Sequence, residues 1–217
     1  HSPLNINGTG PGGSGGGGIM VRNENSASVT IEYCEILSNS SGDYGGGIYA
    51  NPSNTVTLKN SIIANNSSSN TGGIYHKANL TIENCVFHSN TTTNSGGAEG
   101  GAIRSYGSGN LTITNCTFSN NSAAKGGAIH FESSGTGSIK NSILWGNTGT
   151  TGSQINGTLT VTYSDIEGGY TGTGNINSDP RFVSTSSGNY SIQNYSPAIG
   201  AGTTSGAPSA WPLSFKK

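Results

Sequence analysis

The sequence predicts an all-β fold: a single-stranded right-handed parallel β-helix (a β-solenoid) of about six coils, closed by a C-terminal cap. Two observations carry this prediction. A Gly-Ile motif recurs as SGGGGIM, YGGGIYA, TGGIYH, EGGAIRS and KGGAIHF. It places Ile19, Ile48, Ile74, Ile103 and Ile129 at spacings of 29, 26, 29 and 26, and Ile155 follows after 26 more. After each motif comes a block such as VTIEYCEILSN or LTITNCTFSNN, in which apolar and polar residues alternate, as in Leu111-Thr112-Ile113-Thr114. Period-two alternation marks a strand with one buried face. A helix would space apolar residues three and four apart and would not accept this density of Gly and β-branched Thr.

Superposing the blocks gives vertical columns. One runs Ile31, Leu58, Ile82, Ile113, Ile139, Val161; the next Cys34, Ser61, Cys85, Cys116, Ser142, Ser164; a third Ile36, Ile63, Phe87, Phe118, Leu144, Ile166. A lone repeat cannot bury its apolar face, but stacked repeats, with equivalent strands ~4.8 Å apart, convert each column into a ladder. An asparagine column, Asn39, Asn66, Asn90, Asn121 and Asn147, is expected at a bend with hydrogen bonds along the row, and Gly169 interrupts it. Gly pairs such as Gly126-Gly127 are expected to supply tight or positive-φ corners.

Three regions follow. Residues 1–18, HSPLNINGTGPGGSGGGG, read as a Gly-rich N-terminal arm or assembly strand. Residues 19–170 hold the coils, and residues 171–217 form a terminal coil with a cap and tail, because the last coil of a solenoid otherwise exposes a strand edge. The start at His1 reads as a processed or excised chain.

Composition excludes several partners. Only 9% of the 217 residues are charged and the formal net charge is −1, so nine Lys and Arg provide no basic patch for nucleic acid. No apolar run reaches the ~18–20 residues of a membrane span, so membrane insertion is not expected. Cys34, Cys85 and Cys116 are odd in number and lack tight spacing, which argues for buried small side chains rather than a disulfide framework or zinc site.

The paired motifs GGAI (Gly100 to Ile103, Gly126 to Ile129) and FxxN (Phe87 to Asn90, Phe118 to Asn121) resemble those of the chlamydial polymorphic membrane proteins, surface adhesins built on a right-handed β-helix; residues 12–150 carry this resemblance. The stretch from Ile143 to Gly202 resembles the final coils and cap of secreted bacterial β-helix proteins of the choice-of-anchor type. Neither the autotransporter barrel of the first group nor the sorting domain of the second is read in these 217 residues, so neither mode of anchoring is expected to carry over from the resemblance.

Outward columns hold the candidate sites. The residue after each motif Ile reads Met20, Tyr49, Tyr75, Arg104, His130, Asn156. Tyr49, Tyr75, Arg104 and His130 form a candidate glycan-binding strip, since aromatic rings stack on sugars while Arg and His donate hydrogen bonds. An ordinary solvated face, with some aromatics packed side by side along the ladder, is the competing reading. Glu99 and Lys125 are expected to pair across a coil, and Glu32, Lys59 and Glu83 to form an alternating surface column. The threonine column Thr30, Thr57, Thr81, Thr112, Thr160 is interrupted by those charges, which argues against ice binding. Sequons occur at Asn7, Asn79, Asn90 and Asn110.

Enzymes exist on this fold, and fold alone leaves catalysis open. Lyases of this type need clustered carboxylates for calcium, and hydrolases need a carboxylate pair. The three Asp residues, Asp43, Asp165 and Asp179, share no column; the nearest constellation is Arg104, His130 and Glu132. No catalytic residue, metal site or cofactor is therefore expected. The reading is a non-enzymatic extracellular or cell-surface structural protein, with head-to-tail self-assembly into a fibre as one form it can take. An adhesin or glycan-binding module, with surface glycans as partners, is the first alternative, and a polysaccharide lyase or hydrolase the second.

Overall fold

The computed structural model describes residues 4–6, 15–21, 26, 28–94 and 96–205. It is a right-handed parallel β-helix of about five turns with three long faces. The first face stacks Ile19–Val21, Ile48–Ala50, Ile74–His76, Ile103–Gly107, Ile129–Ser133 and Ile155–Asn156. The second stacks Ser28–Glu32, Thr55–Lys59, Asn79–Glu83, Leu111–Thr114, Gly137–Lys140 and Thr160–Thr162. The third begins with Leu4–Ile6 and continues through Cys34–Leu37, Ile62–Ala64, Val86–His88, Thr117–Ser119, Ile143–Trp145 and Asp165–Ile166. Neighbours within these three faces pair in parallel and in register, as Ile82 does with Leu58 and Ile113.

Inside lie the predicted apolar columns. Ile36, Leu58, Ile63, Ile82, Phe87, Ile113, Phe118 and Leu144 are fully buried, and the Phe87 and Phe118 rings stack at 4.7 Å. Cys85 and Cys116 are buried and Cys34 partly so; all three are free thiols. Their column also carries hydrogen bonds: Cys34 N–H donates to Ser61 Oγ, Cys116 N–H to Ser142 Oγ, and Ser142 N–H to Ser164 Oγ.

Single left-handed residues make the corners. Between the second and third faces these are Tyr33, Asn60, Asn84, Asn115, Asn141 and Tyr163; after the third they are Ser38, Asn65, Ser89, Asn120 and Gly146. Glycine makes the corner before the first face, where Gly100, Gly126 and Gly152 have positive φ. Asn tolerates the left-handed region because its short amide bonds locally. In the Gly pair, Gly126 does have positive φ (61°), whereas Gly127 is glycine because a Cβ there would lie 2.4 Å from the carbonyl oxygens of Ser153 and Thr148.

The asparagine row is a continuous internal ladder. Each amide donates to the next Oδ1 at 2.9 Å, from Asn39 to Asn66, Asn90, Asn121 and Asn147. The same oxygens accept the preceding Asn backbone N–H, and the second amide hydrogen reaches a carbonyl of the third face, such as Ile63 O from Asn90. The row does not stop where the sequence column breaks. Asn147 Nδ2 donates to Gln154 Oε1, and Gln154 Nε2 to Glu167 Oε2, which also accepts Gly146 N–H.

Chain from outside the repeat packs on both ends of the coil region. Leu4–Ile6 pairs with Cys34–Leu37 of its own rod, and Gly17 and Gly18 already bond to Gly45 and Gly47 of the next coil. The rest of the arm, residues 1–3 and 7–14, and the tail 206–217 lie outside the described residues. At the other end, Tyr163 N–H bonds to Thr173 O, Ile166 N–H to Ile176 O, and the Asn175 amide to Val161 O, so the chain after the last coil folds over its edge. An antiparallel pair, Phe182–Ser184 with Asn189–Ile192, then lies against the outside of the third face, where Tyr190 packs on His88 at 5.0 Å. Among the described residues no helix is long and apolar enough to cross a membrane.

Candidate functional site

The motif isoleucines point inward, so by strand alternation the residue after each lies on the outer side of the first face. Tyr49, Tyr75, Arg104 and His130 are successive register partners there. Outward does not mean exposed. Tyr49 is 6% exposed, Tyr75 3% and His130 6%, and this corrects the expectation of an open strip. Neighbouring side chains cover it. Tyr44 sits 4.7 Å from the Tyr75 ring and 5.6 Å from Tyr49, while Tyr49 and Tyr75 stack at 5.6 Å. Tyr106 flanks Tyr75 at 6.4 Å, and the charges of Arg104 and Lys77 lie 5.3 and 5.4 Å from the Tyr106 ring. Burial lifts the Tyr75 hydroxyl well above its ordinary pKa, against the opposing pull of Arg104.

Beside the tyrosines lies a charged cluster. Arg104 Nη2 is 2.5 Å from Glu99 Oε2 and 3.1 Å from Glu132 Oε2, and Lys125 Nζ is 2.8 Å from Glu99 Oε1. The expected Glu99–Lys125 pair is thus one edge of a larger network whose hub, Glu99, is itself buried. Burial pushes the Glu99 carboxyl up, but the Lys125 hydrogen bond and the Arg104 charge outweigh it and hold the pKa below the usual value. His130 Nε2 stands 3.5 Å from Glu132 and 3.7 Å from Glu99. Burial, partly opposed by Glu99, keeps its pKa below the ordinary value and the ring neutral at pH 7.

Glu99, His130 and Glu132 bring three ligand atoms within 4.8 Å of one another. That spacing suits a cation, but the Arg104 guanidinium already bonds both carboxylates at that point. Two carboxylates face two cations, so the cluster is electrically satisfied. A divalent ion would have to expel Arg104, and the residues present do not fit a metal centre.

Sequence reasoning grouped Arg104, His130 and Glu132 but missed the hub and the cover. Glu99 precedes its strand by four residues, a position that alternation does not place, although its register with Lys125 is the signal that does. Tyr106 is the register partner of Glu132, so it was readable as the next outward residue after Arg104. Tyr44 lies in a bend and had no column to announce it. The Lys59–Glu83 pair of the second face forms at 3.1 Å, as its column implied.

The comparisons with known proteins fit this architecture. The family described as right handed beta helix region matches residues 17–207. No curated protein and no solved structure matches the chain.

Proposed function

The chain belongs to the right-handed β-helix family, and on that premise we propose that it is a non-enzymatic structural rod of an extracellular or cell surface. One observation carries the proposal: the outer-wall cluster around Glu99 is internally neutralised rather than poised for chemistry. A carboxylate pair that cleaves glycosides needs one member kept protonated, yet Glu99 is held ionised by Lys125 and Arg104. The tyrosines beside it are packed on one another, as in a wall that keeps the register of successive coils. The extracellular placement is supported by the low charge of the chain and by the resemblance of its GGAI and FxxN motifs to surface adhesins. Electron microscopy of native, untagged protein with light scattering tests the reading. Filaments or stable rods without activity on polysaccharides support it, and release of new reducing or unsaturated sugar ends would overturn it.

A second reading, glycan binding, is favoured by Tyr106. Tyr106 is 39% exposed and stands 5.4 Å from the Lys77 ammonium, so a partly open aromatic residue and a donor lie side by side. On a glycan array, binding abolished by Tyr106→Ala and weakened by Tyr75→Ala would establish it; an array without signal would remove it.

A further inference from the structure

We propose that a pocket between the C-terminal segment and the outer corner of the third face binds a small amphiphilic amine, its ammonium group on Asp165 and its apolar body under the roof. The pocket encloses about 610 Å³, within the ~300–1,000 Å³ typical of small-molecule sites. Its floor is the outward column Thr117, Ile143 and Asp165, register partners on three successive coils. Its roof is the segment Ala198–Thr204 together with Ile192. Asn141 pins that roof in two directions: its amide donates to Thr203 O at 2.8 Å, and its oxygen accepts Thr203 N–H at 2.9 Å. Lys140 reaches past it to Ser205 O. The pocket is therefore built into the cap.

The lining is predominantly apolar and contains one charged side chain, Asp165. Asp165 is 3% exposed. One carboxylate oxygen accepts Ser178 N–H at 3.1 Å, and the other, Oδ2, is buried without a hydrogen-bond partner. A buried anion with an open acceptor is costly unless a donor reaches it. Among the described residues no Lys, Arg or His lies within ion-pairing distance of it. The nearby charge that bears on it is Asp179, which adds to the negative potential. A positively charged donor is what this site lacks, and the apolar roof dictates that the donor be carried on a hydrophobic body. An anionic ligand is excluded by the same charge. This reading is independent of the rod function, because it uses a different face and none of the Glu99 cluster.

The test is calorimetric titration of the full chain with three indole probes: tryptamine, its isosteric neutral alcohol tryptophol, and the anionic indole-3-propionate. Tryptamine should bind at least about tenfold more tightly than tryptophol, as expected for one charge-assisted hydrogen bond in a shielded site, and indole-3-propionate should not bind. Asp165→Asn keeps the acceptor for Ser178 N–H. It should lower tryptamine affinity about tenfold or more and leave tryptophol unchanged, with the circular dichroism spectrum of the wild type. Ile143→Trp, which fills the floor, should abolish binding of both. Equal affinity for amine and alcohol, or an Asp165→Asn variant that binds tryptamine as the wild type does, overturns the proposal. So does binding seen only in a variant ending at Ser205, which would make the chain's own residues 206–217 the competing occupant.

Discussion

Asn90 Nδ2 donates to Asn121 Oδ1 at 2.9 Å, one coil further along, while Asn90 Oδ1 accepts both the backbone N–H and the side-chain amide of Asn66. Every polar atom of this fully buried side chain is thereby used. Replacing Asn90 by Ala leaves Asn66 N–H without its acceptor and takes one bond each from the Asn66 amide, Ile63 O and Asn121 Oδ1, although the amide keeps Ile36 O and Asn121 Oδ1 keeps the residue-90 backbone N–H. Because each orphaned group costs about 1–3 kcal/mol before relaxation, Asn90→Ala should lower unfolding free energy by about 3–5 kcal/mol, read as a fall in the urea midpoint. The exposed corner residue Asn120, changed to Gly, should shift that midpoint little, since its left-handed φ of 56° suits glycine.

The Glu99 hub predicts a spectroscopic coupling. Glu99 raises the pKa of His130 and Arg104 lowers it, within a burial effect that lowers it further. Glu99→Gln removes the raising influence, so the His130 pKa, followed by NMR of the imidazole, should fall below its wild-type value. The same substitution leaves Arg104 with Glu132 alone and should destabilise the chain by about 2 kcal/mol. An unchanged His130 titration would mean that the carboxylate and imidazole do not share this site.

Much of this was legible beforehand, for a physical reason. A solenoid writes its fold as a period, and Ile48, Ile74, Ile103 and Ile129 sit on adjacent strands because parallel in-register pairing preserves columns. The asparagine ladder was legible for the same cause. What failed was whatever the period does not encode. Tyr44 reaches the strip from a bend, and Gln154 enters the ladder seven residues after Asn147. Burial of the outward tyrosines failed too, since alternation assigns a side chain to a face but cannot say what covers that face. The antiparallel pair carrying Phe182 and Tyr190 packs outside the coil and belongs to no column.

Acid should destabilise the rod through His76. This side chain is wholly buried, with Nδ1 2.9 Å from Ala78 O, and its pKa is lowered to about 4 by burial, partly offset by that hydrogen bond. The unfolded chain, with an ordinary value near 6.5, binds a proton that the folded chain refuses. The stability is therefore whole above about pH 6.5 and is lost progressively as pH falls towards 4, by about 3 kcal/mol over the whole window. His88 and His130, also lowered by burial, act in the same direction. Asp165, raised to about 6, acts in the opposite one, because protonation relieves its burial. Denaturation midpoints measured from pH 8 to 5 should fall, and fall less steeply in His76→Gln.

Among the described glycines some are required by contact, some by φ and some, such as Gly126, by both, and substitution separates the first two. At Gly127 an added methyl would press on the Ser153 and Thr148 carbonyls at 2.4 Å, both backbone atoms of the next coil that cannot rotate away. At Gly168, with φ of 84°, the space around a Cβ is open to 4 Å and only the left-handed conformation resists. Gly168→Ala should therefore cost about 1–2 kcal/mol, the strain of one L-residue in that region. Gly127→Ala must push two coils apart and disturb the ladder bonds that Ala128 and Ile129 make with Ser153 and Gln154. Its cost should exceed that of Gly168→Ala by at least about 2 kcal/mol, with hydrogen exchange accelerated in the coils on either side. Equal costs would mean that the stacked coils can slide apart more easily than their register implies.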